Sequence, residues 1–92
     1  MATLTVYVDR SARSELAKTQ LNDYGITYDV VDVETTPSAI EFLAGQGRDR
    51  KHYSMPQYYV GNTLAFDGFK EVNFLTKEQI NSKIEEINDA TI

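Results

Sequence analysis

Short apolar runs separated by polar or glycine-bearing breaks alternate along this chain between a period of two and a helical period. Leu4-Thr5-Val6-Tyr7-Val8 is β-branched and aromatic, which predicts a strand, and Asp9-Arg10 ends it. Ser11 is placed to cap a helix over 12–24. Leu16, Ala17, Gln20, Leu21 and Tyr24 share one face of that helix, and Gly25 closes it. Residues 26–33 read as a second strand. Thr36-Pro37 sets a capping hydroxyl before a proline at the first helical position. Ile40, Phe42, Leu43 and Ala44 form the apolar side of this second helix, and Gly45 and Gly47 end it.

Residues 48–54 are polar and read as a loop. Gln57-Tyr58-Tyr59-Val60 and Thr63-Leu64-Ala65-Phe66 then flank Gly61-Asn62, a hairpin signal in which one tyrosine ring faces the core and the other faces out. Thr76-Lys77-Glu78-Gln79 fits a capping box, followed by Ile80, Ile84 and Ile87 at helical spacing. The predicted order is strand, helix, strand, helix, strand, strand, helix. A helical crossover makes the first two strands parallel, and the hairpin adds antiparallel ones. The expected architecture is α/β: a four-stranded mixed sheet with three helices on its two faces. A ferredoxin-like plan, the nearest rival, would end on a strand.

Composition narrows the picture. A chain of 92 residues, 41% of them hydrophobic, supports one domain over 1–92. There is no cysteine, so no disulfide reinforces the core, and the six tyrosines and four phenylalanines carry much of its area. A net charge of -5 argues against nucleic acid as a partner, because phosphate-backbone binding needs a basic face. No apolar run has the length to span a membrane, and no charged segment leads into a long apolar one, so a cytoplasmic monomer is the default expectation.

Candidate chemistry sits at two junctions. In Asp9-Arg10-Ser11-Ala12-Arg13-Ser14 a strand feeds a helix N-terminus, where unpaired amides and the helix dipole favour negative charge. A cysteine there would react as thiolate, helped by Arg10 and Arg13; a serine hydroxyl without a dedicated base does not ionise. The plainer assignment makes Ser11 a simple cap, Ser14 a first-turn residue bonding locally, and both arginines solvated. At the second junction, Met55-Pro56 enters a strand where proline, which donates no ladder bond, is tolerated and where a cis bond can occur. His52, the sole histidine, has no clustered partner and reads as a solvated side chain. No metal-ligand spacing, phosphate-cradling glycine loop or nucleophile elbow occurs.

Taken in order, these pieces resemble the glutaredoxins of the thioredoxin superfamily, specifically the short phage type. Ala17-Lys18-Thr19-Gln20-Leu21, Gly25-Ile26-Thr27-Tyr28 and Asp32-Val33 match the family's first helix and second strand. Gly47-Arg48-Asp49, Met55-Pro56-Gln57 and Asp67-Gly68-Phe69 are similar to its Gly-Arg-Asp, Met-Pro-Gln and Gly-Gly-Phe segments, and the likeness covers residues 4–87. Counted back from Gly25, the family's Cys-x-x-Cys falls on Ser11-Ala12-Arg13-Ser14.

The resemblance implies a thioredoxin fold and a dithiol oxidoreductase passing electrons to disulfide-containing proteins such as ribonucleotide reductase. Glutathione, as co-substrate, or thioredoxin reductase would be the reductant, with no tightly bound cofactor. It further implies that Ser11 and Ser14 stand at the catalytic positions. Arg10, Arg13, Ser54, Met55, Pro56 (as a cis proline), Gly68 and Phe69 would contact substrate or glutathione, in a host cytoplasm if the origin is a phage. The chain departs from the pattern at both sulfurs, at Asp67 for the first glycine, and at Lys70 for the acidic glutathione anchor. Three readings follow: a Cys-to-Ser form of a dithiol enzyme, a naturally redox-dead binding module on the same fold, or a glutathione-binding domain without catalysis.

Overall fold

The computed structural model describes residues 3–45 and 55–90. The elements run β1 (Leu4–Val8), α1 (Ala12–Asp23), β2 (Tyr28–Asp32), α2 (Pro37–Gly45), β3 (Gln57–Val60), β4 (Thr63–Asp67), α3 (Phe69–Val72) and α4 (Lys77–Ala90). The four strands form one mixed sheet in the order β2-β1-β3-β4. β1 pairs parallel with β2 and antiparallel with β3, and β3 pairs antiparallel with β4. The α/β plan expected from the sequence is therefore present. Among the described residues it holds four helices rather than three, because a single turn at Phe69–Val72 follows β4. Four residues show no periodicity, so the pattern could not reveal that turn.

Both faces of the sheet are covered. Leu4, Val6 and Val8 of β1 pack with Ala17 and Leu21 of α1, Val72 of α3, and Ile80 and Ile87 of α4. On the other face Tyr59 packs with Ala39 and Leu43 of α2, and the rings of Tyr7, Phe42 and Tyr59 meet with centroids 5.1–5.5 Å apart. Tyr58 and Tyr59 do point to opposite faces, but with helices on both sides neither reaches solvent, at 1% and 0% exposure. This corrects the expectation that one ring faces out. A β-bulge at Ala65 shifts the register between Tyr58↔Phe66 and Tyr59↔Leu64, so that Ala65 and Phe66 both join the first core.

Local signals explain most boundaries. Gly61, at φ 62°, takes the first of two turn positions between Val60 and Thr63, as a type II′ hairpin requires. The Thr76 amide donates to Gln79 Oε1 (2.8 Å) and the Gln79 amide to Thr76 Oγ1 (3.2 Å), closing the capping box. Strand β2 starts later than the pattern suggests. The Ile26 amide turns back to the Leu21 carbonyl and that of Gly25 (φ 68°) to Asn22, a Schellman closure that spends Ile26 on the cap. Leu16 is 55% exposed rather than on the packed face, because the buried line of α1 runs Ser14–Ala17–Leu21.

Candidate functional site

Strand register gathers the two junctions. Tyr7 lies opposite Gln57, Gln57 opposite Asp67, and Val8 beside Asp32 in parallel. The chain leaving β1 (9–14), the chain entering β3 (55–56) and the chain leaving β4 (68–72) therefore emerge at one end of the sheet. Arg10 is tied across that end to Glu34, beyond β2, in an exposed ion pair of 3.3 Å.

The first junction is organised by Asp9. Its Oδ1 accepts the Ser11 amide (3.0 Å), a two-residue side-chain turn, and the Ser14 hydroxyl (2.9 Å). Ser14 Oγ in turn accepts the Asp9 amide (3.2 Å), and Ser11 Oγ donates to Ser14 Oγ (3.4 Å). Ser11 is the N-cap of α1, accepting the Ser14 amide at 3.3 Å. Ser14 is fully buried. Burial pushes the Asp9 carboxyl up, but the hydrogen bonds from Ser11 and Ser14 outweigh it and hold the group below its ordinary range. The site thus carries a fixed negative charge beside both serine hydroxyls. In the sequence alone Asp9 is legible only as the residue that ends β1. The signal that would have found it is an Asp two residues before a capping serine, the spacing of an Asx turn.

The Met55–Pro56 peptide bond is cis. Pro56 is fully buried, and half-buried Met55 packs on the Tyr59 core. Gln57 is buried and donates from Nε2 to Asp67 Oδ1 (2.6 Å), and the Asp67 amide donates to Glu71 Oε1 (2.9 Å). Asp67, a departure from the family pattern, is thus a brace between β3 and α3. Gly68 sits at φ 90°, a backbone that side-chain-bearing residues rarely adopt, and turns the chain from β4 into α3. That turn carries Phe69 and Lys70 to Arg13 at the start of α1, where these three and Asn73 line an open hollow of about 210 Å³. Ser11, Ser14, Arg10, Arg13, Met55, Pro56, Gly68 and Phe69 therefore all lie at this end of the sheet. Ser54, like His52 and Gly47-Arg48-Asp49, falls outside the described residues.

Among the described residues no three His, Cys, Asp or Glu side chains gather as a metal site would require, and no helix is long and apolar enough to cross a membrane. No family model and no curated protein matches the chain. A solved structure does: the solution structure of glutaredoxin from Brucella melitensis superposes with a TM-score of 0.64 over 91% of this chain and 89% of that one, at 22% identity. The chain has a glutaredoxin-like fold. At the sheet end two serine hydroxyls and a carboxylate lie together.

Proposed function

We propose that this chain is a glutaredoxin-like binding module that holds an extended, protein-derived peptide at the sheet end without exchanging disulfides. A sequence with no cysteine brings no thiol to the reaction. The observation that carries the choice is Asp9. A reactive thiol needs an electropositive surrounding that lowers its pKa. Here the atom of residue 14 that a sulfur would replace lies 2.9 Å from a carboxylate oxygen held in its charged form. That charge opposes thiolate formation at both motif positions. By the sequence resemblance, the backbone of Met55 beside Pro56 would receive an extended segment in strand fashion. Lys70, in place of an acidic anchor, favours protein segments over glutathione.

The second reading makes the serines stand-ins for a parent dithiol that donates electrons to protein disulfides, ribonucleotide reductase among them, in a cytoplasm, with glutathione or thioredoxin reductase as reductant. The N-terminus of α1 and Arg13 favour it, since both would stabilise a thiolate.

The double variant S11C/S14C separates the two. The module reading expects its thiols to titrate at or above the ordinary value of about 8.5, by absorbance of the thiolate. It also expects no catalytic reduction of a disulfide substrate by reduced glutathione or by thioredoxin reductase. Adding D9N should lower the thiol pKa by about one unit, as removal of a neighbouring like charge does. Turnover by S11C/S14C with a depressed thiol pKa would overturn the module reading in favour of the dithiol parent, as would cysteine codons at these positions in the source gene.

A further inference from the structure

Beside the sheet end, the structure exposes a surface with its own chemistry. Three large apolar side chains stand out among the described residues: Leu16 at 55%, Val30 at 45% and Phe74 at 90% exposure. Val30 belongs to the edge strand. The other two flank the seam between α1 and the segment 69–74. That seam is pinned, since Gln20 Nε2 donates to the carbonyls of Val72 (3.1 Å) and Asn73 (3.4 Å), and Tyr24 Oη donates to Leu75 (2.8 Å). Arg13, Leu16 and Gln20 follow one another at helical spacing along the same side of α1. Phe74 directly follows Asn73, a wall of the hollow that Arg13, Phe69 and Lys70 complete.

The charges at this seam are uncommitted. Arg10 and Lys18 are engaged by Glu34 and Glu15. Arg13 and Lys70 have no carboxylate within ion-pair distance among the described residues, yet they line one hollow beside an aromatic ring. At about 210 Å³ it is smaller than an ordinary cofactor pocket and suits one or two side chains. The surrounding protein carries a net charge of -5, which repels long polyanions and a second copy of this chain, whereas a short acidic segment sees mainly the two local cations.

We propose that the α1–α3 seam docks an acidic peptide segment of a protein partner, with a carboxylate set between Arg13 and Lys70 and a large apolar side chain set against Leu16 and Phe74. This rests on the module reading and goes beyond it by naming a partner chemistry and a second contact, on residues 13–20 and 69–74, beside the one at Met55.

The test is selection of a random peptide library on the wild-type chain, followed by mapping of the winners by amide chemical shifts. Enriched peptides should pair at least two Asp or Glu residues with a large apolar one and shift the amides of 13–20 and 69–74. The exposed double variant R13E/K70E should weaken them by about tenfold or more, and raising NaCl from about 50 to about 500 mM should weaken them by a similar factor. F74A, which removes no buried group, should weaken them about threefold, so the proposal stays testable if the double variant folds poorly. Neutral or basic winners, or equal binding to R13E/K70E and F74A, overturn the seam. Winners that shift only 55–56 overturn it while leaving the module reading standing. No winners that shift either region defeat both. Mass that rises with protein concentration and falls in R13E/K70E would make the occupant a second copy, also against the proposal.

Discussion

Replacing Ser14 by alanine asks how much of the sheet end is held by the Asp9 network. The hydroxyl lost is fully buried, donates to Asp9 Oδ1 at 2.9 Å and accepts the Asp9 amide at 3.2 Å. A hydrogen bond to a charged group contributes about 1.5–3 kcal/mol, and the amide left without its acceptor adds to the loss. Asp9 is only partly buried, however, so water recovers part of both, and the expected destabilisation is about 1–2 kcal/mol at neutral pH. For a domain of this size that is roughly a 5–15 °C fall in Tm. The pH dependence identifies the cause. The Asp9 pKa is depressed in the folded chain below its ordinary 3.8, so its contribution is fully present above that value and is lost as pH falls through the folded pKa. Urea titrations followed by circular dichroism should show the gap between wild type and S14A at pH 7 and a smaller gap below pH 3.8. D9N should abolish the pH dependence. A loss under about 0.5 kcal/mol at pH 7, the range of an ordinary surface change, would refute the network as a stabilising element. So would a loss that stays constant through the titration.

Three further outcomes test the frame around the site. The Tyr58 hydroxyl is buried without a partner among the described residues, and burial pushes its phenol up so that it stays protonated. Y58F should therefore be neutral or stabilising by up to about 1 kcal/mol in chemical denaturation, and a clear loss would reveal a bonded hydroxyl. T76A removes the acceptor for the Gln79 amide and should cost about 1 kcal/mol, with retention of the α4 helical signal as the control. F42A opens the cluster of Tyr7, Phe42 and Tyr59 under α2; because Phe42 is only half-buried, the loss expected in urea is about 2 kcal/mol, below the range for a fully buried ring.

The sequence by itself determined the elements whose causes are local. The β-branched run of β1, the proline opening α2, the Gly61-Asn62 turn and the Thr76–Gln79 box all act within a few residues, and each stands where its chemistry places it. Parallel pairing of β1 and β2 followed from the helical crossover between them, and the two junctions that make up the site were legible as a helix N-terminus and a Met-Pro strand entry. What only the tertiary structure decided depends on partners distant along the chain. Both Tyr58 and Tyr59 are buried because the sheet has two covered faces, which alternation within one strand cannot report. Leu16 faces solvent because packing chose the line through Ser14, Ala17 and Leu21. Ile26 serves a helix cap instead of a strand because a backward amide bond outcompeted the ladder. The role of Asp9 lay hidden for the same reason. Its carboxylate takes on meaning only when the turn into α1 carries Ser11 and Ser14 onto it and register brings Pro56 to the same end of the sheet.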